Sequence, residues 1–518
     1  MGILKSYCPA TTEEIGSVET IDVSEIDSII ERSDKAQREW AKIPPKRRSE
    51  YFRRLSKIIA DDVEELGLTV HKETGKPKAE CINTEFFVSS AHAKYCADWL
   101  NRFKFEIRRK IEPMDMMMRA MGRRSYIRYK PAGITACISP YNFPICIPFT
   151  ECMSSVAVGN SVILKPSSET PLCGELISSL FKKAGFPDDL VICIHGSGIG
   201  NALVQSPSVR RIMFTGGTDT GMSIMRSAAD NLTPVSLELG GCDSMIVLKD
   251  ADINRAIKAA VWGSYVNSGQ VCVGVQRIMV HSSIYDDFVS RFVERVKGLK
   301  IGYDYNDPTI SIGPVINERA MHDVLDAVER AKELGANVVY GGKRVEGLEG
   351  WFLEPAVITD IPVGSELYTT EVFGPFTTIV PFDDDDEAIE LNNSCPYALG
   401  GSVWTEDIQY GHELAGRMNS GMVNVNNLLY NYGMPSLPWG GTHMSGFGKS
   451  HGEEGFLSLM EIQHLHEDKG AWSNDPWWTP YTKEGTDIQT EMTQSLFGSK
   501  RGLIRFFLHA LPLLRKKD

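Results

Sequence analysis

The chain has 518 residues, 42% of them hydrophobic and 23% charged, with a net charge of −13. That length is too great for one core and fits two or three domains, while the ordinary globular composition excludes disordered, collagen-like and low-complexity chains. An acidic surface repels phosphate backbones, so a broad nucleic-acid-binding face is excluded, though not a local pocket for an anionic cofactor.

Eleven cysteines lie between Cys8 and Cys395. None has C-x-x-C or zinc-ligand spacing, so free thiols in a reducing cytoplasm are expected, and no metal. The first residues, MGILKSYCPA, contain no apolar leader. They match the myristoylation pattern from Gly2 to Ser6, which six residues often do by chance. No run of about 20 apolar residues exists to span a bilayer.

In chain order, Ser24 is predicted to cap a helix whose apolar positions are Ile26, Ile29, Ile30, Ala36 and Trp40. Buried strands are predicted at Ile134–Ile138, Ser161–Lys165, 191–194 and 212–215, with helices such as 172–184 between them. Strand, helix, strand at this spacing implies a parallel sheet with crossovers. The alternation returns near 277–280 and 421–425, so two α/β lobes are expected. The acidic run 383–387 reads as a solvated turn. At the C-terminal end, apolar residues 503–514 are flanked by Arg501, Arg515, Lys516 and Lys517. This tail is expected to dock on protein, with a peripheral membrane contact through residues 501–517 as the alternative.

Six short stretches carry chemistry. In NSGQVCVG, Cys272 follows a helix striped by Ile253, Ile257, Val261 and Tyr265, with Gly269 as the predicted helix stop. In LELGG, Val235, Leu237 and Leu239 alternate, so Glu238 points to the opposite face with Ser236. It is either a solvated strand carboxylate or a ligand-facing one. In SPYNFP, two prolines stiffen the loop around Asn142, whose amide suits a developing oxyanion. In MFTGGTDTG, Gly216, Gly217 and Gly221 let backbone amides approach phosphate at a helix start, although G-x-G-x-x-G is absent. In ILKPSSETP, Lys165 follows a strand, and in TEVFGPF an acid, Glu371, lies two residues before Phe373. Singly, each reads as a turn, a surface loop or an inert thiol.

Together, in this order, they resemble the aldehyde dehydrogenase superfamily over about residues 8–465. ETGKP at 73–77, GFPDDLV at 185–191 and WGGTHMSGFGKSHGEEG at 439–455 extend the match. The resemblance implies an α/β fold with a Rossmann-type dinucleotide-binding domain (1–112 and 131–240) and an α/β catalytic domain (241–440). It also implies a small β oligomerisation element (113–130 and 456–466), including a hairpin at 116–129, followed by an extension (467–518). It casts Cys272 as nucleophile, Asn142 and the Cys272 backbone amide as oxyanion hole, and Glu238 as the base that hydrolyses a thioester. Tyr141, Lys165, Ser168, Thr215, Gly216, Gly217, Gly221, Leu239, Glu371 and Phe373 are cast as cofactor-binding.

The cofactor is NAD or NADP. NAD-preferring members commonly carry Glu three residues after the lysine; here Ser168 stands there and Glu169 comes one later, which favours NADP. The substrate is a small-molecule aldehyde. Thr150, with Glu151 next to it, stands eight residues after Asn142, where relatives that grip carboxylated aldehydes often carry Arg, and Val266, six residues before Cys272, is also uncharged. Ile145, Ile147, Pro148, Phe149 and Val273 make the vicinity apolar. An aliphatic or aromatic aldehyde is therefore expected, with an NADP-linked succinate-semialdehyde dehydrogenase as the alternative. A catalytically silent scaffold or membrane-surface binding protein is a third reading, opposed by the presence of Cys272, Glu238 and Asn142 together. Arg123, Arg124 and Arg128 suit an edge that meets a second copy in a homodimer or tetramer.

Overall fold

In a computed structural model the described residues are 2–112, 114–120, 122–470, 475 and 477–498; the 501–517 tail falls outside them. The chain divides into two compact units, one of residues 1–103 and 131–460, the other of 104–130 and 461–518.

The larger unit holds two sheets. The first has six strands in the order Gly446–Phe447, Val235–Glu238, Val209–Thr215, Ile134–Ile138, Ser161–Lys165, Val191–Cys193. All neighbours are parallel except the first pair. Ile134–Ile138 has both faces covered, so it reads as a continuous apolar run rather than an alternation. From that central strand the chain steps outward to Val191–Cys193, then returns to the other side at Val209–Thr215. The reversal opens a crevice beyond the carboxyl ends of Ile134–Ile138 and Val209–Thr215, the place where open α/β sheets bind ligands.

The second sheet has seven strands: Asn337–Tyr340, Ala356–Thr359, Phe376–Phe382, Val275–His281, Asp243–Val247, Gly400–Trp404, Met422–Val425. Separate apolar clusters cover its two faces, one around Phe376 and Ile358, the other around Phe288 and Ile278. The two sheets are joined by residues 239–242, directly after Glu238.

Local chemistry revises several expectations. Asp22, not Ser24, is the cap: its carboxylate accepts from the Ser24 amide at 3.0 Å while Glu25 accepts from the Asp22 amide at 2.8 Å. The acidic run is no turn. Asp384 caps the helix Asp385–Asn393, whose first turn carries Asp385, Asp386 and Glu387, where the helix dipole favours negative charge. The helix before Cys272 ends at Tyr265, ahead of Gly269.

The smaller unit contains a three-stranded sheet ordered Met460–Asp468, Arg123–Pro131, Glu106–Arg109. The two arms of the expected hairpin are Glu106–Arg109 and Arg123–Pro131, and Asp115–Ala120 between them is helical. Arg123 is buried and pairs with Asp468 at 2.6 Å and with Asp475.

Candidate active site

Cys272 stands on a loop that needs unusual backbone. Asn267, Ser268 and Gly269 are all left-handed, with φ of 52°, 56° and 74°. Such a run is costly for residues with a Cβ and persists only when other bonds hold it. Asn267 Nδ2 donates to the carbonyls of Asn142 (2.8 Å) and Gln270 (3.1 Å). Ser268 Oγ donates to Gly313 O at 2.8 Å, and Gln270 Oε1 accepts from the Ile316 amide at 3.0 Å. The loop therefore presents Cys272 on a clamped base.

Asn142 is locked to the same loop: its amide donates to Gln270 O at 3.0 Å. One N–H is spent there and the second remains to donate. A buried ion pair fixes its segment from behind. Glu85 accepts from the amides of Ile145 (3.1 Å) and Cys146 (2.8 Å), capping the helix that follows. Its other oxygen pairs with Lys76, and both side chains are at most 1% exposed. Lys76 also lies 4.0 Å from the centre of the Phe143 ring. Sequence reasoning gave roles to neither residue; the only signal was Lys76 inside ETGKP. Glu85→Ala strands a buried cation, so we expect a loss of about 3–5 kcal/mol in chemical denaturation, whereas a Lys76→Met/Glu85→Gln double variant, which keeps an acceptor for the two amides, stays nearer wild type.

Glu238 is buried, at 6% exposure, which decides against a solvated strand carboxylate. Neither oxygen makes a well-formed hydrogen bond, although the Gly441 amide and Trp439 indole face it. Burial pushes its pKa well above the carboxylate range, the Glu151 charge adds to the rise, and Lys449 opposes it. Burial likewise raises the Cys272 thiol, helped by Glu371, Asp243 and Glu238.

Cys272, Glu238, Thr215 and Leu239 line one cavity of about 310 Å³. Phe87, Phe143, Ile147, Trp262, Val266, Val273, Leu429 and Trp439 make its wall apolar. Phe87, Trp262 and Tyr430 are exposed at its rim. Two carboxylates, Glu238 and Glu151, belong to the described lining, and no Lys, Arg or His does.

The remaining predicted residues surround the crevice of the first sheet. Lys165 ends its strand buried enough that its pKa falls, and among the described residues its ammonium bonds the Pro166 carbonyl (3.3 Å) and no carboxylate. Ser168 is exposed one turn on, and the Glu169 charge is felt at Tyr141 rather than at Lys165. Gly216 bonds the Glu238 carbonyl at 3.0 Å, Gly217 caps the helix Thr218–Ala229, and Gly221 packs on Leu239. The open space beside Gly217 leaves that helix start accessible. Tyr141 and Phe373 meet edge to face with centroids 6.0 Å apart. Glu371 is half-buried, its pKa raised to about 8 chiefly by desolvation, and it accepts from the Gly241 amide at 3.3 Å. A Cβ on Gly240 would strike Glu371, and one on Gly241 would strike the Cys272 carbonyl, so only glycine allows the LGG turn to sit here. A half-buried cation without an ion pair among the described residues, an accessible helix start and a half-buried carboxylate fit a dinucleotide's phosphates and ribose hydroxyls.

The family model that matches is the aldehyde dehydrogenase family, over residues 2–465. The chain is 32% identical, over 89% of its length and 91% of the relative's, to a protein of Sinorhizobium fredii named probable succinate-semialdehyde dehydrogenase, NADP(+). It is 33% identical to 2-hydroxymuconic semialdehyde dehydrogenase of a Pseudomonas species, over 88% and 94% of the two chains. Among solved structures it is similar to Mycobacterium tuberculosis aldehyde dehydrogenase complexed with NAD+, with a TM-score of 0.84, 29% identity, and 89% and 94% coverage.

Proposed function

The chain belongs to the aldehyde dehydrogenase family and oxidises an aldehyde group with NAD(P); from that premise we propose that it takes apolar aliphatic or aromatic aldehydes, favours NADP, and releases the carboxylic acid. The observation that carries the substrate class is the lining: an apolar wall and two carboxylates, without a described cation. A carboxylated aldehyde would bring a further negative charge beside Glu238 and Glu151, with no cation in the described lining to meet it, and one like-charge pair at 4 Å costs about 4 kcal/mol in a medium of intermediate dielectric. For NADP, the support is Lys165 free of a carboxylate and the small Ser168 three residues on.

In this reading the Cys272 sulfur bonds to the aldehyde carbon. The second N–H of Asn142 and the backbone N–H of Cys272 receive the oxyanion. Burial, with Glu371, Asp243 and Glu238 adding to it, keeps the resting thiol protonated, so the Sγ proton passes to water as the sulfur attacks. A dinucleotide would be held by Lys165, the open helix start at Gly217 and Glu371, with Tyr141, Phe373 and Leu239 packed around it, and would supply the hydride acceptor. The product of that step is a thioester on Cys272. Glu238 then takes a proton from water as the water oxygen attacks the thioester carbon. The sulfur leaves as thiolate and the acid is released.

We assign the six-stranded sheet to the cofactor, the seven-stranded sheet to catalysis and the three-stranded unit to self-association in a cytoplasmic homo-oligomer. The edge strand Met460–Asp468 supports the last assignment, since Ile462 on it is 63% exposed. An aldehyde panel run with both cofactors tests the proposal. Hexanal and benzaldehyde should exceed succinic semialdehyde in kcat/KM by at least about tenfold, and NADP should exceed NAD. Succinic semialdehyde turning over fastest would overturn the substrate class, and a strong NAD preference would overturn the cofactor choice.

A further inference from the structure

The outer edge of the six-stranded sheet carries three side chains of metal-ligand type that the reaction described above does not use. Cys193 ends the edge strand Val191–Cys193, and His195 follows two residues on. The ladder continues to Ile194, whose amide donates to Leu164 O at 2.9 Å, so Cys193 and His195 leave the extended chain on the same side. Their Sγ and Nε2 atoms are 3.4 Å apart. The helix Pro171–Lys183 packs on this strand and brings Glu175 Oε1 to 2.9 Å from the same Nε2. All three donor atoms lie within 4.8 Å of one another. The His195 side chain is 2% exposed and Glu175 is 51% exposed, while Cys193 is partly accessible. His195 O also accepts from the Ile21 amide at 2.9 Å. Two donors are therefore fixed by the sheet, and the third stands on the solvent side where an ion can enter.

We propose that Glu175, Cys193 and His195 form a binding site for a divalent cation of the zinc class, with water as the fourth ligand. A thiolate, an imidazole and a carboxylate are the donors zinc takes, and the sulfur and nitrogen select against magnesium and calcium. With Zn–S at about 2.3 Å and Zn–N at about 2.1 Å, a tetrahedral site needs about 3.6 Å between sulfur and nitrogen, close to the 3.4 Å present. The nitrogen–oxygen edge needs about 3.4 Å, so Glu175, on the exposed side of its helix, has only to draw back slightly from 2.9 Å. The Glu175–His195 hydrogen bond alone does not account for the thiol aimed at the same nitrogen. On binding, the Cys193 proton leaves to solvent, the imidazole keeps its proton on Nδ1, and no electron moves. The Cys193–x–His195 spacing supplies two donors, and the third comes from the preceding helix, so only the fold assembles the set. The site adjoins the cofactor crevice: Cys193 pairs with Leu164, the residue before Lys165.

The test uses the full chain carrying Cys272→Ala, which removes the cavity thiol as a competing ligand, after dialysis against a chelator. Titration with Zn2+ in a calorimeter should show one ion bound per chain with release of a proton, and Mg2+ should give no signal. Co2+ in place of zinc should give a thiolate-to-cobalt charge-transfer absorption. Adding Cys193→Ser should abolish that absorption. Cys193→Ser and His195→Gln should each weaken zinc by at least about 100-fold, since losing a group that merely supports a ligand already costs about 10- to 100-fold. Glu175→Gln should weaken it by about tenfold or more; it lies on the exposed helix surface and serves if either substitution on the strand side prevents folding, as circular dichroism would show. The readout is metal bound and its spectrum, so it stands apart from whether the chain turns over any aldehyde. Absence of zinc binding tighter than about 100 μM, or zinc held equally well by the three variants, would overturn the proposal.

Discussion

Cys272→Ala is expected to remove hydride transfer altogether: no burst, no acyl adduct, and turnover at least about 10⁴-fold below wild type. The size follows from the lack of a substitute. Of the eleven cysteines, Cys272 and Cys193 alone are more than marginally accessible, and Cys272 is the one on the cavity that also holds Glu238. The loop that carries it is fixed by Asn267, Ser268 and Gln270 irrespective of the sulfur, so the variant should fold with unchanged stability and still bind cofactor. Absorbance at the reduced nicotinamide band, with cofactor binding as the control, makes the measurement. Turnover within tenfold of wild type would remove Cys272 from its role.

Glu238→Gln should give a different signature. Acylation needs the sulfur and the oxyanion donors, whereas deacylation needs a base for water. The first turnover should survive as a burst stoichiometric with active sites, while steady-state turnover falls by about 10²- to 10⁴-fold. The thioester should persist on Cys272. Because burial lifts Glu238 well above the usual carboxylate range, the wild-type base is protonated at low pH, and deacylation should begin to slow at a higher pH than an ordinary carboxylate would give. The variant lacks this group, so that limb should flatten. Loss of the burst in Glu238→Gln would show that Glu238 acts before the thioester and would revise the division of labour.

Much of the fold could be read locally. Ile134–Ile138, Ser161–Lys165 and the helix Ile253–Tyr265 carry their periodicity in consecutive residues, and a contiguous apolar run or a 3.6-residue stripe is visible without tertiary information. The errors were also local. Ser24 and Asp22 are both capping types two residues apart, and the choice fell to whichever carboxylate or hydroxyl could meet the first free amides. The run 383–387 looked like a solvated turn because charge patterning does not reveal a helix whose other face is buried by Ala388, Ile389 and Leu391.

What the sequence by itself determined is the kit of reactive groups and the order of their supports: a thiol, a carboxylate and an amide, each embedded in glycine- or proline-bearing turns whose chemistry is set by neighbours one to four residues away. Only the tertiary structure decided that Glu238 is buried rather than solvated and that Glu151 lines the same cavity. The same holds for Lys76 and Glu85, which brace the Asn142 loop, and for the substrate cavity, whose described wall carries no cation. These properties depend on which distant segments exclude water from one another, and burial, unlike periodicity, leaves no trace in the spacing of a single chain.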